Sequence, residues 1–401
     1  MSRKNFVGVV LGGDMNSYAV ARAFYEAFHK KTIIIGQHPI FPTAYSKIIE
    51  GYYYEDLMRD DVLIKALKAI DEKYPDKKKI LFGNTDYYVR HIMHNKAAIS
   101  AIRGNFIMPM VDEAKFDQLF NKSTFYQLCE KYGLDYPKCR VFHFDSDDVE
   151  NFELPSDFPI FIKPSDSVIY AQYDFEGKQK GYKIENMDQL RRVVDTVRNS
   201  GFKDTFVFQE YIEGSDDSMF VYTAYVNSHH KVTAMTGGRI LMHDRTPELI
   251  GNYNAITNAC DTALCEKLKY FLEHIDFTGT CHFDVQYDAK RQGYVVFEMN
   301  IRQGRSNYYT AASGVNLAKL IVEDYLYHKE TPFFIAKRSF TVSVVPKLML
   351  KLALKSSGEK SYKMKNFYRF GLAPYDRGLK RYIYQMAWDL RTMKNHFKYN
   401  R

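Results

Sequence analysis

Apolar residues open the chain in a short, uniform run from Val7 to Leu11. Tyr18 to Phe28 then carries apolar positions at helical spacing, and Thr32 to Gly36 forms a second run. Strand, amphipathic helix and strand make a βαβ pattern, which predicts a parallel sheet. A helix over Asp61 to Lys73 and a strand over Lys79 to Gly83 extend it, so residues 1 to 115 are expected to form one α/β domain. From Phe116 the texture changes. A helix from Ser123 to Tyr132 stops at Gly133, with Pro137 beyond it. Strands are expected over Ile160 to Lys163, Thr205 to Tyr211, Phe220 to Val226, Val232 to Met235, His282 to Tyr287 and Tyr294 to Met299. Helices over Met187 to Ser200 and Ala259 to His274 interrupt them. This interleaving predicts an α+β region over 116–330. The polar stretch Ser165 to Gly181, with two glycines, is the candidate for a lid. In Arg377 to Lys394 the apolar residues Tyr382, Tyr384, Met386, Trp388 and Leu390 recur at every second position. That suits a helix poorly, and neither period is assigned there.

With 401 residues, 46% of them hydrophobic, the chain can bury the cores of two or three domains. Met1 to Lys4 precedes too short an apolar run for a signal peptide or a membrane span. Five scattered cysteines without a CxxC pair suggest neither a disulfide framework nor a zinc site, and a reducing cytoplasm fits them. The net charge of +8 is concentrated in 331–401, where 16 Lys and Arg stand against three acids, Glu359, Asp376 and Asp389. Such a basic extension suits peripheral contact with anionic lipid or a phosphorylated substrate, and a solvated basic face accounts for it as well. Nucleic acid is not expected, and the oligomeric state stays open.

Three segments carry chemistry. In His282-Phe283-Asp284-Val285 and Val296-Phe297-Glu298-Met299-Asn300, Glu298 and Asn300 share a strand face by the period of two. A hairpin would set Asp284 beside them. Three oxygen-bearing side chains gathered in this way suit Mg²⁺, although any one acid alone is ordinary on the wet face of a sheet. Arg302 and Arg305 follow at once and offer forked donors to phosphate or carboxylate. In Pro159-Ile160-Phe161-Ile162-Lys163-Pro164 a lysine ends an apolar strand, where it either borders a cleft or snorkels. The third segment, Phe206 to Asp217, runs an apolar strand through Glu210, Tyr211 and Ile212 into a glycine turn and an acidic pair. That layout suits an adenine edge followed by ribose hydroxyls, and equally a plain turn with solvated acids.

Taken in order, Lys122, Lys163, the 210–217 segment, Asp284, Glu298, Asn300 and Arg302 resemble the ATP-grasp family over roughly 116–330, and the preceding unit is similar to its pre-ATP-grasp domain. The resemblance implies a pre-ATP-grasp parallel-sheet domain (1–115), an ATP-grasp fold (116–330) with a mobile small subdomain at about 140–215, and a basic C-terminal extension (331–401). It implies ATP and Mg²⁺ as cofactors. Lys122 and Lys163 would hold the phosphates, Glu210, Tyr211 and Ile212 the adenine, and Asp217, or else Asp216, the ribose. Asp284, Glu298 and Asn300 would hold metal, and Arg302 would face the reacting phosphoryl group. Where many members have a glycine-rich loop after the second lysine, this chain has Ser165-Asp166-Ser167-Val168-Ile169-Tyr170.

The runs Gly13-Asp14-Met15-Asn16-Ser17-Tyr18, Ala21-Arg22-Ala23-Phe24, Phe41-Pro42-Thr43, Ser46-Lys47-Ile48-Ile49 and Lys163-Pro164-Ser165-Asp166-Ser167-Val168 look like bacterial D-aspartate ligases of peptidoglycan synthesis. That narrower resemblance implies an amino-acid carboxylate, D-aspartate, as one substrate. The amine acceptor it implies is the lysine of a UDP-linked muramyl pentapeptide. Arg239, after Gly237-Gly238, is a candidate for holding the acyl phosphate, or a surface arginine beside a turn. Asp14 and Asn16 stand at the ligand edge of the first strand, where a helix cap is their alternative role, favoured for Asn16. Two rival classes remain. A dinucleotide-binding dehydrogenase lacks its G-x-G-x-x-G spacing here. A non-catalytic nucleotide binder would not need the whole set of Lys163, Asp284, Glu298, Asn300 and Arg302.

Overall fold

The apolar runs at the start of the chain become the middle of a sheet sandwiched between helices. The computed structural model describes residues 5–214, 218–244, 246, 251–304, 307–356 and 362–399, and among these the strands form three sheets. In the first, β1 (Phe6–Leu11), β2 (Thr32–Gly36), β3 (Ile49–Tyr53), β4 (Lys78–Gly83) and β5 (Phe106–Ile107) run parallel in the order β3-β2-β1-β4-β5. Every residue of β1 is buried because both faces are covered. α1 (Met15–Phe28) packs under Phe6, Val10, Ile34 and Ile80. α2 (Asp60–Lys73), α3 (Asp86–His94) and α4 (Lys96–Ser100) pack over Val7, Val9, Leu11 and Ile33. β3 escaped the sequence reading because it is an edge strand with only Ile49 buried.

α5 (Glu113–Phe120) and α6 (Lys122–Lys131) lead into an antiparallel sheet of β6 (Cys139–His143), β7 (Ile160–Pro164), β8 (Tyr182–Ile184) and β9 (Thr205–Glu210), ordered β6-β9-β7-β8. The expected lid is not bare loop. It contains α7 (Ser167–Ala171), whose Tyr170 is buried against Phe202 and Phe206. α8 (Met187–Asn199) closes the same core through Leu190, Val194 and Val197.

The largest sheet comprises β10 (Met219–Val226), β11 (Val232–His243), β12 (Tyr253–Asn258), β13 (Gly279–Asp288), β14 (Gly293–Asn300), β15 (Phe334–Ile335), β16 (Thr341–Ser343) and β17 (Phe367–Arg369). Its order is β14-β13-β10-β11-β12-β16-β17, with β15 paired to β11. α9 (Thr262–His274), α10 (Tyr308–Ser313) and α11 (Leu317–Tyr325) pack on it, and α11 shares its core with α1 and β1. Gly237 and Gly238 do not turn the chain; they lie within β11. A Cβ on Gly238 would come within 2.4 Å of Ile256, and one on Gly237 within 2.6 Å of the Ala259 carbonyl.

The 331–401 segment is no appendage. β16 pairs antiparallel with β12 and β17 pairs parallel with β16, while α12 (Lys347–Ser356) and α13 (Leu379–Tyr399) pack alongside. α13 explains the ambiguous period of its sequence, because the face it buries is largely polar: Arg381, Gln385, Asp389, Met393 and His396. Arg381 and Asp376 are fully buried and paired at 3.1 Å. Asp376 accepts from the Tyr18 hydroxyl, the Ser46 hydroxyl and the Lys47 amide, and Arg381 donates to the carbonyls of Pro42, Ala44 and Gly371. Arg369 meets Asp389 at 2.6 Å. Salt bridges and backbone carbonyls thus hold Arg381 and Asp389 in the interior, while Leu379, Ile383, Met386 and Leu390 turn outward.

Candidate active site

The hairpin β13–β14 sets Asp284 directly opposite Glu298 and His282 opposite Asn300, as the period of two requires. A bulge just beyond the Asp284–Glu298 pair shifts the register, a common device for re-aiming side chains beside a site. Asp284 accepts from the Tyr253 hydroxyl at 2.5 Å and from the Asn300 amide at 3.2 Å. Burial, and after it the neighbouring Glu298, raises its carboxyl above the usual range against the opposing pull of His282. Burial acts on Glu298 in the same direction, but Lys122 and Lys163 overcome it and hold the Glu298 carboxyl below its ordinary value.

Both lysines converge here from different elements. Lys122 begins α6, which Asn121 caps by accepting from the amides of Ser123 and Thr124, and its ammonium lies 3.7 Å from Glu298. Lys163, near the end of β7, donates to the Tyr126 hydroxyl at 3.4 Å, and Tyr126 in turn donates to the Phe297 carbonyl at 2.8 Å. Burial and the charge of Lys122 push Lys163 down to about 8, with Glu298 and Asp284 pulling the other way. The two ammoniums repel each other, which is why Lys122 lowers Lys163. A triphosphate would relieve that repulsion.

The carboxyl-terminal edge of the parallel sheet closes the site from the other side. Arg302 is gripped in bidentate fashion by Asp86, the first residue of α3, with both contacts at 2.7 Å. It also donates to the Asn300 side chain at 3.3 Å and to the Gln303 carbonyl at 3.2 Å, so four of its five N–H groups are committed. Gly304 lets this stretch fold back, since a Cβ there would stand 2.7 Å from the His282 ring. Asp14, not Asn16, is the N-cap of α1, accepting from the Ser17 amide at 3.0 Å. Asn16 is fully buried, donating to the carbonyls of Asn84 and Gln303 and so tying the end of β4 to the Arg302 loop, while its own side-chain oxygen has no partner among the described residues. Gly12, at φ +112°, makes the turn into this edge.

Other sequence candidates fall differently. Arg239 pairs with Phe220, which pairs with Val285, so its row leaves the opposite sheet face from the row of Asp284, and the register does not bring it to this cluster. The Glu210 side chain is engaged by Arg291 and by the Lys138 amide at 2.7 Å. The Ile212 carbonyl accepts from Gln286 at 3.2 Å, and Tyr211 lies under Lys183. Asp216, Asp217 and Arg305 lie outside the described residues. The amides of Val168 and Ile169, where a glycine-rich loop was missing, are taken by Asp166 as the cap of α7, and Asp166 also meets Arg90 at 3.1 Å. Sequence reasoning missed Asp86, Tyr126 and Tyr253. Only Asp86 left a signal, as an acid just after an apolar strand at the ligand edge of a parallel sheet.

Among the described residues no group of three or more His, Cys, Asp or Glu side chains is set to hold a metal ion. Two carboxylates and an amide, Asp284, Glu298 and Asn300, do fit a hard cation that keeps water and phosphate oxygens as its remaining ligands. All five cysteines are free thiols. No helix among the described residues is long and apolar enough to cross a membrane.

No protein-family model matches the chain. Over 399 residues it is 33% identical to the D-aspartate ligase of Enterococcus faecium, an alignment covering 96% of this chain and 94% of that protein. Its fold is similar to N5-carboxyaminoimidazole synthetase from Staphylococcus aureus complexed with ADP. There the TM-score is 0.61 at 11% identity, over 91% of this chain and 92% of that one. It is also similar to the biotin carboxylase domain of the Hydrogenobacter thermophilus 2-oxoglutarate carboxylase, solved with MgADP. That match has a TM-score of 0.60 at 13% identity, over 84% of this chain and 73% of that one. At these identities the two solved structures speak for the fold.

Proposed function

The chain belongs to the ATP-grasp carboxylate–amine ligases, and from that membership we propose that it joins the carboxylate of D-aspartate to the lysine amine of a UDP-linked muramyl pentapeptide, with ATP as the phosphoryl donor. The observation that carries the reading is the convergence of Lys122, Glu298, Asp284, Asn300 and Arg302, from three separate parts of the chain, on one patch. The whole-length likeness to a D-aspartate ligase supports the choice of amino acid. A nucleotide-linked acceptor fits a cytoplasmic reaction.

A carboxylate is a poor electrophile, so its oxygen first attacks the γ-phosphorus, ADP leaves, and an acyl phosphate forms. The amine then attacks the acyl carbon, inorganic phosphate departs with the C–O bonding pair, and the proton lost by the nitrogen goes to the departing phosphate. In this reading Lys122 and Lys163 neutralise the triphosphate, and Arg302 faces the transferring phosphoryl group with the N–H that no described residue takes. Asp284, Glu298 and Asn300 would hold Mg²⁺, which when bound shields charge on the phosphate oxygens. Asp14 and the buried Asn16 border the edge where the substrate carboxylate would lie.

ADP release should require D-aspartate together with the acceptor. Glu298→Gln and Lys163→Ala should each lower it by at least about a hundredfold, since Lys163 offsets phosphate charge directly and Glu298 does so through the metal it would hold, with the folded fraction preserved by circular dichroism. Parental activity in either variant would remove the site assignment. Release driven solely by another amino acid would remove the substrate assignment and leave the ligase chemistry standing.

A further inference from the structure

The cations and apolar side chains of α12 and α13 belong to no site described above. Leu379, Ile383, Met386, Leu390 and Phe397 recur at helical spacing along α13 and are between 49% and 79% exposed. Lys380, Arg391 and Lys394, also exposed, run beside that stripe. On α12, Leu348 and Leu352 stand one turn apart on the outer face, accompanied by exposed Lys347, Lys351 and Lys355. The two helices share one core through Leu350, Ala353, Leu354 and Met393, so they are neighbours. A cleft lined by Leu372, Arg377, Gly378, Leu379 and Tyr382 opens where α13 begins.

Scattered exposed leucines are ordinary, whereas a stripe at helical spacing rimmed by cations is not. The burial pattern of α13 deepens the anomaly: the helix spends its polar residues inward, on Asp376, Asp389 and backbone carbonyls, and leaves its apolar face outside. Among the described residues of 331–399 the only acids are Asp376 and Asp389, and both are buried and paired with arginine. Among the described residues of these two helices, the outward charges are thus all cationic and stand beside apolar side chains. A second copy of the chain docked here about a two-fold axis would set lysine against lysine. An anionic bilayer offers the complement to both properties: apolar side chains enter the acyl boundary while the lysines meet lipid phosphates.

We propose that the outer faces of α12 and α13 form a docking surface for an anionic lipid bilayer, holding the enzyme peripherally at a membrane. The surface works independently of the ligase chemistry, because none of its residues enters the phosphate site.

The test is co-sedimentation of the full chain with vesicles of equal phosphatidylglycerol and phosphatidylcholine, against vesicles of phosphatidylcholine alone. Binding to the anionic vesicles should exceed binding to the neutral ones at least tenfold and should fall severalfold between 0.1 and 0.5 M salt. Ile383→Gln/Leu390→Gln on α13 and Leu348→Gln/Leu352→Gln on α12 should each weaken binding at least tenfold and leave vesicle-free ADP release unchanged. Lys351→Glu/Lys394→Glu provides a second pair of charges whose reversal should abolish the preference for anionic lipid. Absence of sedimentation with anionic vesicles, or equal binding to both kinds, overturns the proposal. So does a concentration-dependent dimer that the same glutamine variants dissolve, which would make the surface a contact between copies.

Discussion

Arg302 could act on a phosphoryl group only if something fixes its planar fork, and Asp86 is placed to do so. Replacing Asp86 by asparagine keeps the shape but removes the charge and turns one of the two 2.7 Å acceptors into a donor facing the guanidinium. A hydrogen bond to a charged group contributes about 1.5–3 kcal/mol, so losing one and weakening the other costs about 2–4 kcal/mol of orientation. If that cost appears in the transition state, kcat falls about 30- to 1000-fold at 1.36 kcal/mol per decade, while KM for ATP stays within about threefold. The assay is steady-state ADP release by Asp86→Asn, Arg302→Gln and the double variant. Because Asp86 acts through Arg302, adding Asp86→Asn to Arg302→Gln should cost less than about threefold more. Additive losses, or a parental kcat in Asp86→Asn, would refute the reasoning.

Two further outcomes follow from buried charge. Lys163 sits at about 8 in the free protein, and a triphosphate bound beside it would raise it. Nucleotide affinity should therefore be full below pH 8 and fall by up to about tenfold per unit above it, and Lys163→Ala should flatten that profile when Kd is measured by calorimetry. Because Lys163 titrates lower in the folded chain than in the unfolded one, the same group makes the nucleotide-free protein gain stability as pH rises from 8 toward its unfolded value, the opposite sign. Arg381→Met strands the Asp376 carboxylate in a fully buried position and should destabilise the fold by about 3–5 kcal/mol, read as a lowered denaturant midpoint. An unchanged midpoint would refute the claim that this pair holds the fold together.

The sequence made the cluster of Lys163, Asp284, Glu298 and Asn300 legible because its placement rests on local rules. A period of two fixes which of Asp284, Glu298 and Asn300 share a face, and an apolar run ending in Lys163 marks a strand leaving the core. What it hid was set by partners distant in the chain. Asp86 gains its meaning from Arg302, 216 positions away. The sheet face of Arg239 was set by its pairing with Phe220. α13 defeated the period argument because that argument assumes the buried face is apolar, and here Arg381, Gln385 and Asp389 fill it, held by Asp376, Arg369 and backbone carbonyls. The cap passed to Asp14 because Asn16 is drawn into the bridge between Asn84 and Gln303.

The clamp between Asp376, Arg381 and residues 42–47 also bears on how the molecule is made. Ser46 meets Asp376 across 330 positions and Pro42 meets Arg381 across 339. A ribosome delivers the first strands long before those partners, at about 5–20 residues per second. The nascent parallel sheet must wait tens of seconds with that flank unfinished, which exposes it to chaperones and proteases until the last helix emerges.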